Sequence, residues 1–228
     1  MQKILVINSK GGCGKSTIAI NLASYFASQD LNTALLDFDP QGSSIRWLTQ
    51  RPKTSPEIYG VHVASRKNNT GVTRSFQMRV PPETERMILD APAGVTGNEL
   101  LDLIHLVDTI IIPVLPSTID IHAVTRFIEE LLVIGKVRQK GINVAVVANR
   151  AKKNTLNYRS LERFLNTLKL PFVTTFRDTQ NYVHAVERGV GIHEMWDKRT
   201  ESDKAQWRPL VRWLEDVNKT NLKRRAVL

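Results

Sequence analysis

Short apolar runs alternate with stretches in which apolar residues recur at helical spacing along this chain of 228 residues. Apolar runs of this length, bounded by polar turns, are typical of buried strands. They predict strands near 3–8, 32–37, 58–64, 86–90, 108–114, 143–148 and 172–176. Helices are expected between most of them, including a long one near 119–138. The alternation predicts an α/β fold with a doubly wound, mostly parallel sheet flanked by helices.

The first apolar run leads into a glycine-rich segment, SKGGCGKST, at residues 9–17. A helical pattern follows at 18–26, which gives the segment the strand–loop–helix context of a phosphate-binding P-loop. Glycines allow successive backbone N–H groups to point at phosphate oxygens, and the helix that begins there adds its positive dipole. Lys15 is predicted to reach the β- and γ-phosphates, and the Ser16 hydroxyl to bind Mg²⁺. The predicted nucleotide-binding residues of the loop are Gly11, Gly12, Cys13, Gly14, Lys15, Ser16 and Thr17.

Lys10 makes this loop unusual. The standard spacing G-x-x-x-x-G-K-[ST] fails, because Ser9 stands at the first glycine position and a lysine follows it. Lys15 already supplies a cation to the phosphates of its own subunit, and a second lysine beside it would repel it. Lys10 can instead point outward, toward a nucleotide held by a neighbouring molecule. A solvated loop lysine is the alternative that the spacing leaves open.

Three aspartates follow two further apolar runs. Asp37 ends the run at 32–37 and Asp39 follows it, and Asp90 ends the run at 86–90. Ligands bind beyond the C-terminal ends of the strands of an open parallel sheet, so these acids should gather beside the loop. Acids in that place hold Mg²⁺ and orient the attacking water. The predicted metal ligands are Ser16, Asp37, Asp39 and Asp90.

The segment at 10–17, the DFDPQG stretch at 37–42 and the Asp-Ala-Pro sequence at 90–92 together resemble the ParA/MinD group of deviant-Walker ATPases. The DPQG sequence and the segments at 110–114 and 116–120 favour the ParA branch of this group. The similarity covers about residues 1–195, most of the chain. It implies a P-loop ATPase that uses ATP and Mg²⁺ and forms a homodimer with two nucleotides enclosed between its subunits.

The resemblance also implies roles for single residues. In this family the lysine matching Lys10 reaches the partner subunit's ATP, and the lysine matching Lys15 holds the phosphates in its own subunit. The acid matching Asp39 is tied to hydrolysis, so these three are the expected catalytic residues. Asp90 matches the Walker B acid. Asn149 resembles the position that reads the adenine edge, although an Asn at a strand end is also a common turn former.

The net charge of +10 is concentrated in the segments 136–163 and 199–225. Basic surface suits a sequence-independent contact with a phosphate backbone, and an ordinary solvated surface is the alternative. The resemblance favours DNA, because ParA dimers coat nucleoid DNA without sequence preference. The chain starts at its first strand, so we expect no helix-turn-helix domain and no operator repression. The expected DNA contacts are Lys152, Lys153, Arg159, Arg163, Arg208, Arg212, Lys223, Arg224 and Arg225.

Other features exclude classes of protein. Cys13 is the single cysteine, which excludes an internal disulfide and the iron–sulfur ATPases that share this loop. The five histidines show no metal-ligand spacing. No signal peptide precedes the first strand and no apolar run approaches ~18 residues. We therefore expect a cytoplasmic, nucleoid-associated protein that forms a single domain over 1–228.

The C-terminal segment 199–228 is predicted to form a helix and a basic tail. Its apolar residues fall at helical spacing, which is typical of a helix that packs on the sheet. The alternative is an amphipathic membrane-binding helix like that of MinD. Glu215 and Asp216 weaken the attraction to anionic lipid, so a membrane partner is not favoured. The apolar positions are Trp207, Leu210, Val211, Trp213, Leu214 and Val217.

The function predicted from these features is a ParA-type ATPase that forms an ATP-sandwich dimer and binds DNA nonspecifically. It would position a plasmid, a chromosome locus or a protein cargo, with hydrolysis stimulated by a ParB-like or cargo adaptor. A MinD-like, membrane-associated regulator is the alternative. A third hypothesis is a ligase or synthetase that activates a carboxylate. The DPQG motif and the basic surface argue against it.

Overall fold

Seven parallel strands form one sheet in the computed structural model, which describes residues 1–63 and 78–226. Their order across the sheet is β3-β2-β4-β1-β5-β6-β7, so β3 and β7 are the edge strands. The predicted parallel α/β fold is confirmed, and each predicted strand is present, although residue 64 of the third lies outside the described residues. The strands are β1 (Gln2–Val6), β2 (Thr33–Asp37), β3 (Tyr59–His62), β4 (Arg86–Asp90), β5 (Thr109–Val114), β6 (Asn143–Ala151) and β7 (Phe172–Arg177).

Helices cover both faces of this sheet. The described α-helices are α1 (Lys15–Ala27), α2 (Ser43–Thr49), α3 (Gly97–His105), α4 (Thr118–Val133), α5 (Leu156–Thr167), α6 (Asn181–Glu187) and α7 (Glu201–Ala226). Buried side chains of α3, α4 and α5 form one apolar core with the sheet, and those of α1, α2, α6 and α7 form the other. Alternate residues of β1 divide between them, since Leu5 belongs to the first core and Ile4 to the second. This is the doubly wound arrangement that the alternating pattern predicts.

Helix α4 is shorter than the predicted helix at 119–138, because it ends at Val133. The backbone N–H groups of Ile134 and Gly135 both donate to the carbonyl of Glu130, which closes the last turn. A Cβ on Gly135 would lie 2.6 Å from the carbonyl oxygen of Leu131, and Lys136 has a φ of 50°. The chain therefore turns away where the sequence pattern suggests that the helix continues.

Helix α7 packs its apolar stripe on the sheet, as predicted. Trp207, Leu210 and Leu214 are each at most 1% exposed. The side-chain amide of Gln2, at the start of β1, donates to the carbonyl of Leu214 at 2.9 Å. None of the helices in residues 1–63 and 78–226 has the length and apolar character that a membrane crossing requires.

Candidate nucleotide-binding site

The glycine-rich loop lies at the C-terminal edge of the sheet, between β1 and α1. It borders a cavity of about 420 Å³, which is also lined by residues at or just beyond the C-terminal ends of β2, β4, β6 and β7. This is the position at which ligands bind in open α/β sheets. The loop residues that line the cavity are Gly11, Gly12, Gly14, Lys15, Ser16 and Thr17.

Gly14 fixes the shape of the loop. Its φ of 92° lies in the left-handed region, and a Cβ there would be 2.1 Å from Nδ2 of Asn149. No side chain of the described residues caps the N-terminus of α1, and the first turn of this helix contains no acidic residue. Its first N–H groups can therefore serve an anion, which is the arrangement that binds phosphate in P-loops.

Lys15 is almost entirely buried, with 6% of its surface exposed. Its Nζ donates to the carbonyl oxygen of Lys10 at 3.2 Å, and Sγ of Cys13 donates to the same oxygen at 3.3 Å. Burial raises the pKa of the Cys13 thiol, so this cysteine fills space in the loop as a neutral group. A carbonyl oxygen of the loop thus holds the Lys15 ammonium within the segment that is predicted to surround the phosphates.

Lys10 makes its ion pair within its own subunit. Its Nζ lies 2.5 Å from Oδ1 of Asp120, in the first turn of α4. The Asp120 side chain is 7% exposed and that of Lys10 is 35% exposed. The second carboxylate oxygen of Asp120 accepts the hydroxyl of Ser117, whose own oxygen caps the helix. No role was predicted for Asp120, because an acid at the start of a helix is its only local signal in the sequence.

Asp90 ends β4 beneath the loop and is fully buried. Its Oδ2 accepts the hydroxyl of Ser44, while its Oδ1 has no hydrogen-bond partner among the described residues. Burial raises the pKa of Asp90 to about 7, and the nearby hydroxyls of Ser44 and Ser16 lower it in part. A buried carboxylate oxygen without a partner, close to a serine hydroxyl, is a donor set that suits Mg²⁺. The residues present therefore fit the predicted magnesium site.

Asp37 accepts backbone hydrogen bonds through both of its carboxylate oxygens. Its Oδ1 accepts the N–H of Asp39 at 2.9 Å, and its Oδ2 accepts those of Ser44 at 2.9 Å and Ile45 at 3.2 Å. Burial raises its pKa, and these three backbone hydrogen bonds lower it. The described residues contain no group of three or more His, Cys, Asp or Glu placed to hold a metal ion. The carboxylate of Asp37 thus holds the loop between β2 and α2, and its predicted contact with Mg²⁺ stays a prediction.

Asp39 lines the cavity on that same loop. Its Oδ1 accepts the N–H of Gln41 at 2.9 Å, and its carbonyl oxygen accepts that of Gly42 at 2.9 Å. Nε2 of His62, at the end of β3, lies 3.2 Å from the same carbonyl oxygen. Neither His62 nor Ser44 was predicted, because each reaches the site through the pairing of β2 with its neighbours.

Asn149 reaches the cavity at the carboxyl end of β6, but its amide nitrogen donates to the carbonyl of Cys13 at 2.8 Å. The side chain thus supports the glycine-rich loop, and its predicted contact with adenine stays a prediction. Arg150, which follows it, also lines the cavity with a φ of 49° and lies 3.6 Å from Asp178. No sequence signal singled out Arg150, since its position depends on the conformation at the end of β6.

The predicted DNA contacts lie on α5, on α7 and in the segment that follows β6. Lys153, Arg208 and Arg212 line adjoining grooves along the edge strand β7. Lys152 is 3.9 Å from Asp178 near the cavity, and exposed Arg159 and Arg163 lie on α5. Helix α7 runs toward the opposite end of the sheet, where Asn221 contacts Asn143 at the start of β6. This places Lys223 and Arg224 far from the cavity, and the side chain of Arg225 lies outside the described residues.

A sequence profile described as CbiA, the CobQ/CobB/MinD/ParA nucleotide binding domain, matches residues 4–192. The chain belongs to this family. The protein named maintenance of carboxysome distribution protein A of Halothiobacillus neapolitanus is 28% identical over 197 residues, which span 84% of this chain and 87% of that protein. The region that matches this nucleotide-binding profile, residues 4–192, contains the loop, the three aspartates and Asn149.

Two solved structures share the fold. Apo McdA of Cyanothece has a TM-score of 0.72 at 14% identity, over 95% of this chain and 99% of that chain. A complex of a McdA variant with ATP from the same genus has a TM-score of 0.69 at 14% identity, over 92% and 96% of the two chains. The similarity extends over nearly the whole length of each chain.

Proposed function

We propose that this protein is a ParA-type ATPase that positions an intracellular cargo. The observation that carries the proposal is the glycine-rich loop itself, which combines an uncapped helix N-terminus, Lys15 and Ser16 with the buried carboxylate of Asp90. Backbone N–H groups and Lys15 would bind the phosphates of ATP. The fold of the ATP complex and the nucleotide-binding family support the same assignment.

Ser16 and Asp90 would hold Mg²⁺, with Asp39 at the cavity wall. The ion would neutralise charge on the β- and γ-phosphates when it is bound. Asp39 would orient the attacking water, and its backbone is already fixed by Asp37, Gly42 and His62. Lys15 would stabilise charge on the transferred phosphoryl group in its own subunit.

A nucleotide-sandwich dimer would be the active form. Lys10 stands at the leading edge of the loop and its side chain is about one-third exposed, so it can reach a neighbouring subunit once it leaves Asp120. It would then add a second cation to the partner's phosphates. Slow hydrolysis in isolation and stimulation by an adaptor would follow, because the isolated subunit lacks this cation.

The cargo is proposed to be a protein assembly. The carboxysome-distribution relative matches across most of both chains, and the McdA structures share the fold over nearly their whole length. The net charge of +10 supports nonspecific DNA as the track, with the groove residues along β7 as its first contacts. A nucleoid location and a cargo adaptor belong to this proposal. The burial of the apolar stripe of α7 argues against membrane binding.

Size-exclusion chromatography with ATP and Mg²⁺ tests the proposal. The wild-type protein should dimerise with ATP and not with ADP. Lys15→Ala should lose nucleotide binding, whereas Lys10→Ala should bind ATP and remain monomeric. Lys53→Ala, which removes an exposed lysine near the edge strand β3, should behave like the wild type. Normal ATP-dependent dimerisation of Lys10→Ala would refute the role of Lys10 in the partner's site.

A further inference from the structure

Lys10 and Asp120 form an ion pair whose two members are unequally buried. The Asp120 side chain is only 7% exposed, and its Oδ1 lies 2.5 Å from Nζ of Lys10. Its other oxygen accepts the hydroxyl of Ser117, and the N–H of Asp120 donates back to that hydroxyl oxygen at 3.2 Å. The carboxylate is therefore fixed at the start of α4, and Lys10 provides its opposite charge.

The rest of the loop supports this position of Lys10. Its N–H donates to Oδ1 of Asn8 at 3.2 Å, and its carbonyl oxygen accepts from Lys15 and Cys13. Breaking a buried pair by removing one partner is costly, because the remaining charge is left without compensation. A neighbouring molecule's nucleotide would therefore compete with Asp120 for the charge of Lys10.

We infer that Asp120 is a positioning residue that holds Lys10 inside its own subunit and so opposes the contact that Lys10 would make across a dimer. The ion pair is a property of the single chain. Its effect on dimerisation rests on the proposed function. A subunit must give up the pair before Lys10 can bind a partner's phosphates, so Asp120 raises the amount of ATP needed for dimerisation.

The ion pair itself can be tested without nucleotide. Thermal unfolding would be measured for the wild type, Lys10→Ala, Asp120→Asn and the double variant. Lys10→Ala should lower Tm by about 2–4 °C, because it leaves a buried carboxylate unpaired. Adding Asp120→Asn to it should recover most of that loss, since the uncompensated charge is removed. If the two substitutions have additive effects on Tm, the ion pair does not hold Lys10 and the inference is wrong.

The consequence for assembly needs a second measurement. Asp120→Asn should lower the ATP concentration at half-maximal dimerisation about fivefold, the equivalent of a pair worth ~1 kcal/mol. ATP affinity of the monomer, measured with a fluorescent analogue, should not change. Glu201→Gln is the matched control, because it removes an exposed carboxylate that pairs with Lys204 at 2.8 Å on α7. It should leave the ATP dependence unchanged.

The outcomes distinguish the inference about Asp120 from the proposed function on which it rests. If Asp120→Asn dimerises at the same or a higher ATP concentration than the wild type, Asp120 does not oppose dimerisation and the inference is overturned. If Lys10→Ala dimerises normally while the Tm values still show coupling, the proposed function is wrong and the ion pair within the subunit stands.

Discussion

Asp37 and Asp90 occupy paired positions on the neighbouring strands β2 and β4, and Ser44 contacts both carboxylates. The backbone N–H of Ser44 donates to Asp37, and its hydroxyl donates to Asp90. After burial and the two serine hydroxyls, the charge of Asp37 is a further influence on the pKa of Asp90, and it raises that pKa. The first residues of α2 thus tie together two acids that lie 53 positions apart in the chain.

Asp90 should make the stability of the nucleotide-free protein depend on pH. Its pKa rises from 3.8 to about 7 on folding, so folding favours its protonated form. The contribution of protonated Asp90 to the stability of the folded state is therefore complete below about pH 4 and is lost as the pH rises through 7. The free energy of unfolding should fall by up to about 4 kcal/mol across that window. Asp90→Asn should remove this fall, as urea unfolding at pH 5 and pH 8 would show.

Asp30→Asn is the control for this pH effect. Asp30 is exposed with a φ of 57°, a conformation that Asn adopts readily, so the substitution should leave the pH dependence intact. Mg²⁺ with nucleotide should raise Tm of the wild type at pH 8 and raise that of Asp90→Asn much less. An unchanged pH dependence in Asp90→Asn would mean that another group is responsible.

Two glycines of the loop should respond differently to alanine. Gly14→Ala places a Cβ 2.1 Å from Nδ2 of Asn149 at a φ of 92°, so it should reduce ATP affinity at least ~10-fold by distorting the loop. Gly11→Ala meets no atom closer than Cβ of Ala93 at 3.8 Å, and it should bind nearly as the wild type does. Titration with a fluorescent ATP analogue compares the two. Equal affinities would show that the backbone at Gly14 is not required.

Two leucines on α7 test whether this helix belongs to the core. Leu210 is fully buried and Leu222 is 51% exposed. Leu210→Ala should lower the free energy of unfolding by about 2–5 kcal/mol, because it leaves a cavity between the helix and the sheet. Leu222→Ala should change it by less than ~0.5 kcal/mol. Urea denaturation measures the free energy of unfolding of both variants. Equal losses in the two would indicate that α7 does not pack as described.

The groove along β7 should contribute to DNA binding through its charge. Lys153→Glu reverses one cation there, and Lys53→Glu makes the same change near the other edge of the sheet. We expect Lys153→Glu to weaken ATP-dependent binding to any DNA sequence and to reduce the salt dependence. Lys53→Glu should have a smaller effect. Fluorescence anisotropy at several salt concentrations measures both, and identical losses would assign the binding to net charge alone.

Local sequence was sufficient to predict the strands and the loop. Most strands are buried runs of mainly apolar residues, although the edge strand β3 is largely exposed. The glycines and Lys15 carry the chemistry of the loop within nine residues. The end of α4 was predicted wrongly, because Gly135 and Lys136 turn the chain while its apolar pattern continues. The apolar stripe of α7 predicted its packing correctly.

The chain by itself therefore determined the α/β fold and the segments that build the site, since apolar periodicity and loop glycines act over a few residues. Only the tertiary structure decided what the polar side chains do. Asp120 pairs with Lys10, which lies 110 positions earlier in the chain, and the carboxylate of Asp37 accepts hydrogen bonds from backbone N–H groups. The basic residues at the end of α7 lie near the start of β6, where Asn221 contacts Asn143. Such partners depend on which strands lie side by side, and no local pattern encodes that pairing.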